Sequence, residues 1–213
     1  MRRPFDLSLY LITDEGLAGP RGVVETVRQA IDGGVTLVQL RDPENKTRHL
    51  IDTAAALIDI LRPRGIPLII NDRVDVALAV DADGVHVGQS DMRTRTVRDL
   101  IGPDRIIGLS VSRVSELVAE DIDPVDYLGV GPIYFTSTKP NAPTPIGFDG
   151  VGAIRAASRL PIVVIGGVKA ENGEAAIRSG SDGIAIVSAI MGTADPQAEA
   201  ARLRSVVDAA KAG

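Results

Sequence analysis

Short apolar runs alternate with stretches of helical periodicity along this chain. Residues 7–13, 36–40, 68–70, 84–88, 106–111, 127–134, 162–165 and 184–190 are rich in Val, Ile and Leu, and they predict eight strands. Val23, Val24, Val27 and Ile31 recur at helical spacing, and Gly33-Gly34 closes that helix. Leu50, Ala54, Leu57, Ile58 and Leu61 form one apolar helical face behind Thr47, a candidate N-cap. Helices over 74–80, 92–101, 114–119, 151–160 and 170–179 continue the rhythm. Asp195-Pro196 reads as an N-cap and first-turn proline opening a last helix, and residues 135–147 form a proline-rich loop.

The strands are continuously apolar rather than alternating, the pattern of parallel strands covered on both faces. Eight β/α units in one domain over residues 1–213 predict a (β/α)8 TIM barrel. The rival, an open doubly wound sheet, more often carries G-x-G-x-x-G after its first strand, and this chain has none there. The echo between Asp83-Gly84-Val85-His86-Val87 and Asp182-Gly183-Ile184-Ala185-Ile186 also suits repeated units. In such a barrel the strand C-termini open at one end, which carries the active site. A polar residue follows nearly every apolar run: Asn71-Asp72, Gln89 and Asp91, Ser110, Thr136 to Lys139, Gly166-Gly167 and Ser188. Closure would bring them to one mouth.

Composition narrows the chemistry. A net charge of −5 without a basic run argues against general nucleic-acid binding, and an aromatic content of 3% leaves little surface for base stacking. The absence of cysteine removes disulfides, thiol catalysis and cysteine metal sites. With only His49 and His86 present, a Ser-His-Asp triad and a His-rich zinc site are both disfavoured. His86, between Val85 and Val87, reads as an inward or buried structural residue, and His49 as exposed. No apolar stretch reaches bilayer length and no apolar signal region precedes the first strand, so the expected location is cytoplasmic. The expected partners are small phosphorylated molecules, not nucleic acid or membrane; a homo-oligomer is compatible with the sequence.

Asp72 and Asp91 follow neighbouring strands. Mg²⁺ takes hard oxygen ligands, often one or two carboxylates with substrate phosphates and water. One such Asp would equally serve as a helix cap; two, beside Asn71, favour a metal pair. Arg41 and Lys139 are candidate phosphate clamps, one bidentate and one a point charge. Either alone is more often a solvated cation, but Lys139 ends a donor-rich Thr-Ser-Thr-Lys loop. Gly166-Gly167 and Val187-Ser188 follow the seventh and eighth strands, where many barrels bind phosphate through backbone N–H groups.

These residues, in this order and spacing, resemble the thiamine phosphate synthases, also called thiamine-phosphate pyrophosphorylases. The matching segments include Leu9-Tyr10-Leu11-Ile12-Thr13-Asp14, Val38-Gln39-Leu40-Arg41, Ile70-Asn71-Asp72-Arg73 and Gly84-Val85-His86-Val87-Gly88-Gln89-Ser90-Asp91. They continue with Gly108-Leu109-Ser110, Gly131-Pro132-Ile133, Thr136-Ser137-Thr138-Lys139, Ile165-Gly166-Gly167 and Val187-Ser188-Ala189-Ile190. The resemblance implies an enzyme that joins an aminopyrimidine diphosphate to a thiazole phosphate, gives thiamine phosphate, and releases pyrophosphate. It implies Mg²⁺ on Asp72 and Asp91. It gives the pyrimidine diphosphate to Gln39, Arg41, Asn71, Ser110 and Lys139, with Arg41, Ser110 and Lys139 carrying the catalysis. It gives the thiazole phosphate to Thr136, Ser137, Thr138, Gly167, Val187 and Ser188. A related thiazole tautomerase and a non-catalytic phosphate-binding barrel are the alternatives. One position departs from the pattern: Pro43 stands where the family has a lysine, and proline offers neither an ammonium nor an N–H. Lys46 or Arg48, nearest in sequence, is expected to supply the missing cation.

Overall fold

Strands that are apolar on both faces need cover on both faces, and a closed barrel wrapped in helices supplies it. The computed structural model describes residues 4–135 and 144–213. Its strands are β1 (Leu9–Ile12), β2 (Leu37–Leu40), β3 (Leu68–Asn71), β4 (Gly84–Val87), β5 (Ile106–Val111), β6 (Tyr127–Val130), β7 (Ile162–Val164) and β8 (Gly183–Ile186). All pairs are parallel, in sequence order, and β8 pairs back onto β1 through Leu9 and Ile184. The helices among the described residues are α1 (Glu15–Ala18), α2 (Val23–Asp32), α3 (Thr47–Leu61), α4 (Val74–Ala79), α5 (Thr94–Ile101), α6 (Ala119–Ile122), α7 (Gly147–Ala157), α8 (Ala170–Arg178), α9 (Ser188–Met191) and α10 (Pro196–Ala212). The predicted (β/α)8 TIM barrel is the observed fold. None of these helices is long and apolar enough to cross a membrane.

Strand alternation splits the apolar residues into two cores. Leu9, Leu11, Val38, Leu40, Ile70 and Val85 face outward against the helices. Tyr10, Ile12, Leu37, Ile69, Ile106, Tyr127, Val163 and Ala185 fill the barrel interior. Polar residues enter that interior toward the strand C-termini: Gln39 is 2% exposed and His86 8%.

The repeated Asp-Gly pattern acts at the opposite end. The residue before each even-numbered strand accepts a hydrogen bond from a backbone N–H near the start of the preceding strand. Thr36 Oγ1 accepts from Leu9 N at 3.0 Å, Asp83 Oδ2 from Leu68 N at 2.8 Å, Asp126 Oδ2 from Ile107 N at 2.8 Å and Asp182 Oδ2 from Ile162 N at 2.7 Å. The glycines that follow Asp83 and Asp182 are needed for close approach: a Cβ at Gly84 would strike the Ile106 carbonyl, and one at Gly183 the Leu7 carbonyl. The echo is therefore a structural device of the barrel floor.

Three elements differ from the sequence reading. The sixth strand stops at Val130, because Pro132 has no N–H to extend the ladder. Pairing resumes beyond it, with Ile133 N donating to Ile165 O and Tyr134 N to Gly166 O, both at 3.0 Å. The apolar run 184–190 divides into β8 and α9, since a short apolar run does not by itself distinguish strand from helix. Residues 114–119 form a 3-10 turn (Val114–Glu116) before α6, and Glu116 bonds back to Ser112 N at 2.7 Å. At the other helix ends, Asp195 caps α10 by accepting from Ala198 N at 3.0 Å, whereas Lys46 takes the N-cap position of α3 and Thr47 is its first residue.

Candidate active site

A cavity of about 530 Å³ opens at the strand C-termini. Gln39, Arg41, Asn71, Asp91, Ser110, Gly167, Val187 and Ser188 all line it. Parallel closure thus gathers residues from six strand ends into one mouth. Thr136, Ser137, Thr138 and Lys139 lie outside the described residues.

Asp72 does not line the cavity itself, although its neighbour Asn71 does. Its backbone is left-handed, with φ of 58°, a conformation that Asp and Asn tolerate better than most residues. Its N–H donates to His86 O at 2.8 Å, which ties the end of β3 to β4. Asp91 Oδ2 accepts from Gly88 N at 2.8 Å, so the loop after β4 orients this carboxylate at the rim. Asp72 and Asp91 offer carboxylate oxygens only, a donor set that fits Mg²⁺ and not a soft metal.

At the other side of the mouth, Gly166 and Gly167 have φ of 96° and 72°. A Cβ on Gly167 would lie 2.7 Å from Tyr134 Cβ. Asn172 holds this turn by donating to Gly167 O at 3.0 Å and accepting from Lys169 N at 2.8 Å. Ser188 begins α9 directly after Val187, so the helix start faces the same cavity.

The cations are arranged differently from the sequence expectation. Arg41 lines the cavity, and its backbone is fixed by Thr13 Oγ1, which accepts from Arg41 N at 3.0 Å. Lys46 and Arg48 are exposed and do not line it. The segment that carries them is tied outward: Asn45 Nδ2 donates to Glu15 Oε2 and Asp42 Oδ2, both at 2.9 Å, and His49 Nε2 lies 3.0 Å from Glu15 Oε2. Glu15, Asp42 and His49 form the only three-residue His/Asp/Glu cluster of metal-binding compactness among the described residues, but none of them lines the cavity. Two further cations do line it, Arg113 after β5 and Lys169 after β7. The sequence reading passed over both. Neither carries a sequence signal beyond following a predicted strand by a few residues. Arg113 Nε pairs with Glu116 Oε1 at 2.8 Å while its side chain stays 73% exposed.

The match to known proteins covers this whole architecture. The family model for thiamine monophosphate synthase matches residues 9–190. The chain belongs to the thiamine monophosphate synthase family. A thiamine-phosphate synthase from Azorhizobium caulinodans is 53% identical over 211 residues, covering 99% of this chain and all of the relative. One from Xanthobacter autotrophicus is likewise 53% identical over 99% of this chain. A solved structure of the thiamine phosphate pyrophosphorylase from Pyrococcus furiosus superposes with a TM-score of 0.86 at 37% identity, covering 96% of each chain. The chain is accordingly an enzyme of the thiamine-phosphate synthase type, a transferase of thiamine biosynthesis.

Proposed function

We propose that this enzyme condenses 4-amino-2-methyl-5-(diphosphooxymethyl)pyrimidine with a thiazole phosphate, in a Mg²⁺-dependent dissociative reaction. The observation that carries the reading is the single cavity lined by Gln39, Arg41, Asn71, Asp91, Ser110, Gly167, Val187 and Ser188. Gln39, His86 and Ser110 line it beside apolar Ile12, Val163 and Ala185; Asp91, Glu116, Arg41 and Arg113 add charge, and Gly166-Gly167 add a glycine turn beside a helix start.

Asp72 and Asp91 would hold the Mg²⁺, whose chemistry is to neutralise diphosphate charge. The remaining work falls to the chain. Arg41, which lines the cavity, would take phosphate oxygens bidentately, and Lys139 is assigned to the same diphosphate. The bond between the pyrimidine methylene and its oxygen breaks, and the electron pair leaves with pyrophosphate. The thiazole ring nitrogen then gives its lone pair to the methylene carbon, forming the new C–N bond. Positioning and charge stabilisation dominate such a reaction. Gln39, Asn71 and Ser110 hold the pyrimidine diphosphate with Arg41 and Lys139, while Thr136, Ser137, Thr138, Gly167, Val187 and Ser188 hold the thiazole phosphate. The synthase reading is favoured over a tautomerase by the acidic pair. The deciding experiment incubates the purified protein with both substrates and Mg²⁺ and follows thiamine phosphate and pyrophosphate. Failure to form both refutes the reading.

The glycine turn gives one prediction. Gly167→Val places a β-branched residue at φ of 72° against Tyr134. It should raise the KM for the thiazole phosphate far more than Ser188→Ala, whose lost hydroxyl is worth roughly a few-fold. Equal KM values for the two variants would contradict backbone recognition.

The cation arrangement gives another. With Lys46 and Arg48 outside the cavity, Arg113 is the described cation best placed to do the work of the lysine replaced by Pro43. Arg113→Ala should raise the KM for the pyrimidine diphosphate, while Lys46→Ala and Arg48→Ala leave it nearly unchanged. Steady-state kinetics with each substrate varied in turn checks this, and the opposite ranking would restore Lys46 or Arg48 to the role.

A further inference from the structure

Five polar side chains cross the barrel interior in one unbroken hydrogen-bonded chain. Gln39 Nε2 donates to Tyr10 Oη at 2.7 Å. Tyr10 Oη lies 2.7 Å from Tyr127 Oη. Tyr127 Oη lies 2.9 Å from His86 Nδ1, and His86 Nε2 lies 2.9 Å from Ser110 Oγ. The members come from β2, β1, β6, β4 and β5 in turn. The barrel makes room for them: a Cβ on Gly108 would overlap Tyr127 Oη and His86 Nδ1, and one on Gly129 would press on His86 Cε1 at 2.8 Å.

The direction of the chain follows from counting hydrogens. Tyr10 and Tyr127 are 1% and 0% exposed, and burial, above all, raises both phenol pKa values. Each phenol therefore keeps its single hydrogen. Tyr10 already accepts from Gln39, so its own hydrogen goes to Tyr127. The Tyr127 hydrogen then goes to His86 Nδ1. A neutral imidazole with Nδ1 accepting carries its proton on Nε2, which donates to Ser110 Oγ. Reversing the Tyr10–Tyr127 link would leave the Tyr10 hydrogen without an acceptor in this chain, and reversing the Tyr127–His86 link would do the same to the Tyr127 hydrogen.

We propose that Tyr10, Tyr127 and His86 are positioning residues, a one-way relay that presets the hydrogen-bonding groups of the cavity at both of its ends. At the Gln39 end one amide N–H is fixed on Tyr10, which sets the orientation of the amide and leaves its carbonyl oxygen as the acceptor and its second N–H as a donor. At the Ser110 end the hydroxyl accepts from His86, which leaves its hydrogen to be donated into the cavity. A planar heterocycle with an N–H donor near Gln39 and an acceptor near Ser110 matches this pattern, as an aminopyrimidine does. This inference deepens the proposed function and rests on it for the identity of the ligand. It also gives His86 a task other than proton transfer: its fixed tautomer passes the orientation from one end of the cavity to the other.

Two measurements test the relay on the whole protein. The chain has two histidines, so ¹⁵N-histidine NMR resolves both rings, and His49→Gln assigns them. His86 is expected with Nδ1 unprotonated and Nε2 protonated; the opposite tautomer overturns the relay. The second measurement is kinetic. Tyr10→Phe and Tyr127→Phe keep the rings and remove one link each. They should raise the KM for the pyrimidine diphosphate by roughly three- to tenfold, the worth of one neutral hydrogen bond, and leave the KM for the thiazole phosphate unchanged. In a Ser110→Ala background the Tyr127→Phe effect should shrink, because the end it orients is gone. A loss that touches both substrates equally, follows thermal stability and shows no coupling to Ser110 would leave the tyrosines as packing alone and overturn the positioning role. If wild-type enzyme fails to join the two substrates, the proposed function falls, while the NMR still reads the relay directly.

Discussion

Asp91→Asn and Asp72→Asn are each expected to lower kcat by roughly 10²–10³-fold, by analogy with removal of one well-placed charge-stabilising donor. Both substitutions keep size and an oxygen acceptor, and each is conformationally mild for a specific reason. Asp91 holds Gly88 N at 2.8 Å through one carboxylate oxygen, and an amide oxygen can keep that bond. Asp72 sits at φ of 58°, where Asn is as comfortable as Asp. The loss would therefore report missing negative charge. Wild-type enzyme should stop in excess chelator and recover on addition of Mg²⁺. If both variants turn over normally, or chelator has no effect, the assignment of Mg²⁺ to these carboxylates is wrong.

Asp126→Ala is expected to destabilise the fold by about 3–5 kcal/mol, the cost of stripping one partner from a buried ion pair. Asp126 Oδ2 accepts from Arg98 Nη2 at 2.8 Å and from Ile107 N at 2.8 Å, and the two side chains are only 4% and 12% exposed. Arg98 also binds the carbonyls of Gly102, Arg105 and Pro124, so it cannot swing out to water without breaking the floor of the barrel. For a chain of this length the melting temperature should fall on the order of 10 °C. Kinetic constants at low temperature should change little, because the pair lies at the strand N-termini, away from the cavity. The double variant Arg98→Met with Asp126→Leu should recover part of the loss, since it leaves no uncompensated charge. A drop of less than about 1 kcal/mol for Asp126→Ala, the scale of a surface pair, would show that the site is solvated in solution.

The misread elements share a physical origin. The run 184–190 is apolar apart from Ser188, and both a buried strand and a short buried helix satisfy that pattern; the turn at Val187, with φ of −117° and ψ of −84°, divides it. The repeated Asp-Gly pairs were visible as an echo, but their purpose was not. They serve bonds between neighbouring strands, and those bonds exist only once the barrel has closed. Arg113 and Lys169 went unremarked because a lone cation in a loop is ordinary; only the cavity they line sets them apart.

By itself the sequence determined the number and order of the β/α units, the parallel barrel, and which residues stand at strand C-termini. These are local properties, carried by apolar periodicity, glycine and proline punctuation, and the parity of strand residues. From them, Arg41, Asn71, Asp91, Ser110, Gly167, Val187 and Ser188 could be assigned to one mouth without coordinates, and the family resemblance added Gln39. The tertiary structure alone decided how side chains from different strands meet. It tied the segment bearing Lys46 and Arg48 outward to Glu15, brought Arg113 and Lys169 to the rim, and joined Gln39, Tyr10, Tyr127, His86 and Ser110 across the interior. Tyr10 and Tyr127 are 117 positions apart yet share a 2.7 Å hydrogen bond. No periodicity encodes such a contact, because it depends on the stagger of the whole barrel and on glycines at positions 108 and 129 that leave space for it.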